Sequence, residues 1–98
     1  LLAAPAKVDF EEELALKRIE FSPNPNNGQF NLAFELPEKK NTRILVFDQM
    51  GRQVHKEILS NFDGSYKNDI DISAQPNGVY FLIIAQDQKQ FTRKIVKQ

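Results

Sequence analysis

The stretch Gly78-Val79-Tyr80-Phe81-Leu82-Ile83-Ile84-Ala85 constrains the fold more than any other part of the chain. Gln75-Pro76-Asn77 introduces it as a turn signal, and the polar Gln86-Asp87-Gln88 closes it. A run this short, and this rich in β-branched and aromatic side chains, predicts a central strand rather than a helix. Alternation places Val79, Phe81, Ile83 and Ala85 on one face and Tyr80, Leu82 and Ile84 on the other. Both faces are apolar, so both have to be covered, the second by a terminal segment, a long loop or a partner.

Composition narrows the classes of function. The chain has 98 residues, 41% of them hydrophobic, which suits one domain with one modest core. Thirteen basic and thirteen acidic side chains cancel, removing the electrostatic footprint of a nucleic-acid binder. With no cysteine there is no disulfide framework, thiolate zinc site or cysteine nucleophile, while the compartment stays open. The chain begins at Leu1 rather than Met, as a piece of something longer would, and its first six residues are too short for a signal-peptide core or a membrane span. Residues 1–15 read as an acidic linker from an upstream domain, although Asp9 and Glu12 have capping-box spacing and allow a helical turn. Residues 16–98 read as the folded domain.

Along that domain, Leu14 and Leu16 fall out of phase with Ile19 and Phe21, which a bulge at Lys17-Arg18 would reconcile. Ser22-Pro23-Asn24-Pro25-Asn26-Asn27-Gly28 then forms a rigid polar corner, because prolines restrict φ and Asn-Gly tolerates positive φ. Phe30, Leu32 and Phe34 alternate with polar positions as a half-buried strand, and residues 37–41 read as a turn before a third strand over 42–48. Asp48-Gln49-Met50-Gly51-Arg52 suits a type I turn followed by a residue at positive φ, hence a tight hairpin. In the next strand Val54, Lys56 and Ile58 alternate with His55 and Glu57; residues 61–65 turn again, and Tyr66, Asn68, Ile70 and Ile72 follow in phase, with Asn68 at a rim. The last strand carries Lys89, Arg93, Lys94 and Lys97 without an acid, as a charged edge strand would. The sum is an all-β, immunoglobulin-like antiparallel β-sandwich of about seven strands at eight-to-twelve-residue spacing.

Chemistry is sparse. His55 has no second histidine or cysteine to work with, so a solvent-facing strand histidine is the expected role. Asp63, Asp69 and Asp71 lack the dense oxygen spacing of a calcium loop, glycine is too sparse for a phosphate cradle, and no Ser, His and Asp set stands in a nucleophile context. No cofactor, metal or catalytic residue is expected. Phe30, Phe34, Phe47 and Phe81 fit core positions better than a nucleic-acid stacking platform.

Five motifs nevertheless stand in order: Phe21-Ser22-Pro23-Asn24-Pro25, Asn27-Gly28, Asp48-Gln49-Met50-Gly51-Arg52, Asn77-Gly78-Val79-Tyr80, and the terminal Lys94-Ile95-Val96-Lys97-Gln98. Together they resemble the type A C-terminal sorting domain of type IX secretion cargo from Bacteroidetes-type bacteria, over roughly residues 18–98. The resemblance implies a non-enzymatic sandwich that acts as an export signal. Its partners would be an upstream cargo, an outer-membrane translocon and a sortase-like peptidase that removes it. Its route would be the periplasm in transit, then the cell surface or the medium. By position, Pro23, Asn24 and Pro25 would form the first corner with Asn27 and Gly28 behind it; Asp48, Gly51 and Arg52 the hairpin; Gly78, Val79 and Tyr80 the start of the central strand; and Lys94, Ile95, Val96, Lys97 and Gln98 the part the exporter reads. Asp87-Gln88-Lys89 lacks the glycine common in the family's last hairpin, which predicts a looser turn. The basic terminal strand would offer backbone for strand addition and cations for an acidic receptor, and deleting residues 96–98 should spare the fold while stopping export. Self-association through the apolar face or the edge strand is a further option. The competing functions are a fibronectin type III-like accessory module binding carbohydrate or tethering an enzyme to a surface, marked by exposed aromatic rings, and a calcium-stabilised spacer.

Overall fold

The computed structural model describes residues 12–13 and 16–98, and these form six strands with no helix: β1 (Glu12–Glu13), β2 (Lys17–Ser22), β3 (Gln29–Asp48), β4 (Gln53–Asp71), β5 (Gly78–Gln86) and β6 (Lys89–Lys97). The expected helical turn at Asp9 and most of the 1–15 linker lie outside the described residues.

The strands make one sheet in the order β1-β6-β5-β3-β2, with β4 also on β3. All pairings are antiparallel except β1 on β6. Two expectations are corrected here. Five longer strands and the two-residue β1 replace about seven, and a single curled sheet replaces two separate sandwich sheets. The cause is the same for both. The segments 37–41 and 61–65, read as turns, are bulges inside two long strands. Residues 37–39 face only Asp63, and Ser60 with Asn61 faces only Asn41, so the β3–β4 hairpin bends without ending. Asn61 (φ 53°) and Gly64 (φ 93°) supply positive φ for this bend. The same residue types serve turns and bulges, which is why pattern alone did not separate them.

The bend curls the sheet around its core. Residues 29–36 of β3 pair with β2 and with the far half of β4, whereas residues 42–48 pair with β5 and with the near half of β4. Phe30, Leu32, Phe34 and Leu36 from the first half meet Ile44 and Val46 from the second, together with Ile70, Leu82, Ile84 and Ile95. Phe34 stacks on Tyr66 at 4.9 Å between ring centroids, a contact worth about 1 kcal/mol beyond burial. Gln86, 4% exposed, ties the bend together through Nε2, which donates to Glu38 O and Thr42 Oγ1, each at 3.1 Å.

Several local expectations hold. Lys17 and Glu20 flank a register shift in β2, with Arg18 at φ 56°. The two apolar faces of β5 feed two clusters, the main core and a second one of Leu45, Ile83 and Ala85 with Phe47 packed against it. Others fail. Phe47 and Phe81 are half-buried on that second face rather than in the main core. A register shift beside Phe47 turns His55 and Glu57 inward and leaves Ile58 56% exposed, the reverse of the expected alternation. His55 is therefore not a solvent-facing histidine: its Nε2 lies 2.9 Å from Glu57 Oε2, and Tyr66 OH donates to Glu57 Oε1 at 2.6 Å. The final turn is not loose either. Gln86 pairs with Lys89 across two residues, Asp87 itself adopts φ 54°, and Lys40 Nζ holds its carboxylate at 2.9 Å.

Candidate functional site

The five motifs, scattered over the sequence, meet at one end of the fold. The corner comes first. Both its X–Pro bonds, Ser22-Pro23 and Asn24-Pro25, are cis. Asn26 organises its interior: Nδ2 donates to Pro23 O at 3.0 Å, and Oδ1 accepts the Gly28 amide at 2.8 Å. Gly28 sits at φ +107°, and a Cβ there would lie 2.6 Å from Ser73 Cα and 2.7 Å from Lys97 Cε. Its carbonyl accepts the Ile72 amide at 2.7 Å.

This corner grips the last strand. Asn24 Nδ2 donates to Lys94 O at 3.2 Å, and Asn24 Oδ1 accepts the Val96 amide at 2.9 Å. The Asn26 amide donates to Val96 O at 2.9 Å, and the Gln98 amide donates to Asn26 O at 2.7 Å. The outward edge of β6 is thus held at its end by the corner and at its start by β1. Here the expectation of a bare terminal edge strand open to strand addition is corrected. The corner's amides and its Asn24 side chain already occupy the groups an added strand would use.

The remaining motifs pack alongside. Gly78, Val79 and Tyr80 pair with Lys97, Val96 and Ile95, and Lys97 Nζ donates to Asn77 Oδ1 at 3.0 Å. Tyr80 pairs with Asp48 and donates its hydroxyl to Pro76 O at 2.5 Å; burial, helped by the Asp48 carboxylate, pushes the phenol pKa up. In the hairpin Asp48 Oδ1 accepts the amides of Met50 and Arg52, each at 2.9 Å, while Arg52 Nε donates to Oδ2 at 2.8 Å. Gly51 takes φ 85°, as its place in the hairpin requires. The Arg52 amide, joined by the Arg52 guanidinium and the Met50 amide, holds the Asp48 carboxyl below the usual carboxylate range against the effect of burial. Between hairpin and strand lies a shallow hollow of about 130 Å³, with Met50 79% exposed on its lip.

The site residues divide by exposure. Pro23, Asn24, Pro25, Asn27, Arg52, Lys94 and Gln98 face solvent, and Gly51, Gly78, Val79 and Val96 are half-buried. Gly28, Asp48, Tyr80, Ile95 and Lys97 are buried and act as framework, so the terminus is not uniformly on display. Sequence reasoning placed Asn26 in the corner and Asn77 at the head of the fourth motif but missed the bonds each makes. The Asn26-x-Gly28 spacing is the Asx-turn pattern that would have found the first. No comparable signal marked the second. Asp71 is spent on the corner's neighbour Ser73, whose hydroxyl and amide hold its carboxyl low, and Asp69 accepts from Asn31. The carbohydrate reading loses its marker, since no aromatic ring among the described residues is fully exposed.

The chain is thus an all-β domain whose rigid-backbone motifs gather at one end. The family described as the secretion system C-terminal sorting domain matches residues 20–98, and the chain belongs to it: this is a type IX secretion C-terminal sorting domain. Comparison with curated proteins gave no match. Membership implies fusion to an upstream cargo, engagement with secretion machinery, and export to the cell surface or beyond; the family is non-enzymatic in general.

Proposed function

We propose that the domain is a non-enzymatic signal read as a folded surface, carrying an attached cargo from the periplasm across the outer membrane and then being cut away. What the translocon reads is the composite end made of Pro23, Asn24, Arg52, Lys94 and Gln98, rather than the last residues as a linear tag. The observation that carries this reading is the set of four hydrogen bonds between the corner and residues 94–98. A terminus held this way has one conformation, so a receptor binding it pays little ordering entropy. The upstream chain suits the same reading. β1 joins β6 beside the β5–β6 turn, at the other end of β5 and about 26 Å from the motifs at 3.3 Å per residue. Cargo entering there leaves the composite end unobstructed.

The test is Asn24→Ala in the full-length precursor. It removes two bonds to the terminus while leaving residues 94–98 chemically intact. Cargo in the medium is expected to fall severalfold, with precursor accumulating in the periplasm. Normal export would sink the composite signal. Mass spectrometry of released cargo tests the proteolytic step: a cut upstream of residue 16 is expected, and cargo retaining the domain would refute removal.

A further inference from the structure

Lys97 is the only buried base among the described side chains, 8% exposed, and none of the ion pairs among them includes it. Cations with far more access to water are better supplied: Arg18 holds Glu35 at 3.3 Å, and Lys40 holds Asp87 at 2.9 Å. The ammonium of Lys97 meets one neutral acceptor, Asn77 Oδ1 at 3.0 Å, which leaves two of its three N–H groups without a partner among the described residues. Burying a charge is costly unless an opposite charge completes the pair. The stem of Lys97 is framework, packed against Gly28, whereas its charge is half of a pair.

The surroundings of that charge supply further donors. Asn77 is exposed and lines the hollow of about 130 Å³ between the Asp48 hairpin and the start of β5. With Oδ1 given to Lys97, its Nδ2 has no partner among the described residues. Arg52 lines the same hollow with its side chain 70% exposed; it gives Nε to Asp48, and its terminal nitrogens make no hydrogen bond among the described residues. The one acid in the lining, Asp48, already accepts from the amides of Met50 and Arg52 and from the Arg52 guanidinium. Donors are in surplus and acceptors are spent, which is the chemistry of an anion site. Pro76 and Met50 add an apolar wall.

We propose that this hollow receives a glutamate or aspartate side chain of the protein that reads the composite end, its carboxylate completing the ion pair of Lys97 and taking further hydrogen bonds from Asn77 Nδ2 and Arg52. The inference rests on the composite-signal reading and gives it a chemistry: the receptor surface that faces residues 52, 77 and 97 is acidic.

Asn77→Asp in the full-length precursor separates docking from packing. The new carboxylate stands where Oδ1 meets Lys97 Nζ and completes the pair from within, so the melting temperature should equal or exceed the parent's. It also repels the receptor's carboxylate, and the secreted fraction should fall roughly tenfold. Lys97→Met, which keeps most of the apolar stem and removes the charge, should lower export in the same way. A lower melting temperature for Asn77→Asp would mean that the ammonium lacks no counter-charge, and the proposal falls. If Asn77→Asp exports normally while Asn24→Ala blocks export, the carboxylate site is wrong and the composite signal stands. If both export normally, the composite signal fails as well.

Binding to the purified chain identifies the ligand. A capped peptide alternating alanine and glutamate should shift the side-chain amide of Asn77 and the backbone amide of Gly78, its glutamine counterpart should not, and the shifts should vanish in Lys97→Met. Equal shifts from the two peptides, or from inorganic phosphate at the same concentration, overturn the carboxylate. Sedimentation with phosphatidylglycerol vesicles that Lys97→Met abolishes would overturn the protein receptor in favour of a lipid headgroup.

Discussion

Gly28 is where the corner, the Ser73 backbone and the last strand come closest, so replacing it with alanine measures how tightly the site is locked. Two costs add. The residue sits at φ +107°, and a left-handed conformation costs an L residue about 1–2 kcal/mol. The new Cβ would also meet Ser73 Cα at 2.6 Å and Ser73 N at 2.9 Å, which are backbone atoms and cannot swing aside. Overpacking of this kind costs about 1–3 kcal/mol. The sum, about 2–5 kcal/mol, is a large share of the roughly 5–15 kcal/mol that stabilises a typical domain. At about 4–8 °C per kcal/mol for a chain of this size, the melting temperature should fall by roughly 8–40 °C. Gly64→Ala supplies the control. Gly64 has a comparable φ of +93° with nothing within 4 Å of the position its Cβ would take, so it reports the backbone cost alone. Calorimetry of both variants isolates the clash as the difference between them. If they agree within about 0.5 kcal/mol, the close approach is not tight and the corner does not clamp the terminus.

Deleting residues 96–98 removes the Val96 and Gln98 bonds to the corner and the Lys97 bond to Asn77. The truncated domain should lose about 2–6 kcal/mol at about 0.5–1.5 kcal/mol for each of these four bonds, read by urea unfolding, and a truncated form as stable as the parent would refute the lock. Asp48→Asn tests the hairpin by pH. The folded-state carboxyl titrates below its ordinary value, so its stabilisation is full above about pH 4 and is lost as pH falls through the lowered pKa. Melting curves of parent and variant should therefore differ at pH 6 and converge toward pH 2, and a gap that stays constant would show that the carboxylate charge does nothing there.

What the sequence revealed and what it hid follow from the range of each interaction. The Asp48 hairpin was legible because its acceptors and donors lie within four residues. β5 was legible because both its faces are apolar and each joins a buried cluster. The position of the Pro23–Pro25 corner was plain, yet its partner was not: Asn24 bonds Val96 across 72 residues, and nothing local marks such a pair. β3 and β4 were each split in two because Pro37 to Asn41 and Asn61 to Gly64 carry turn chemistry that the fold uses for bulges. A separate irregularity hid the inward His55 and Glu57. Alternation assigns faces only while register is unbroken, and here it shifts between Val46 and Phe47.

A composite signal carries a consequence that a linear tag does not. The exposed end exists only while residues 23–28, 48–52, 76–80 and 94–98 are packed together, so an unfolded chain with the same terminus presents nothing to read. Ile44 offers a way to test this without touching the site. It is fully buried at the centre of the core, opposite Ile84, and belongs to none of the five motifs. Ile44→Ala should cost about 2–5 kcal/mol, enough to bring the unfolding midpoint toward growth temperature while every motif residue remains in place. Export measured over a range of temperatures should then follow the folded fraction, normal well below the variant's midpoint and failing above it, while the parent exports throughout. The in vitro melting curve sets where the failure should fall. A variant that exports equally well on both sides of its own midpoint would mean that the machinery reads residues 94–98 as a linear sequence and that the corner serves stability alone.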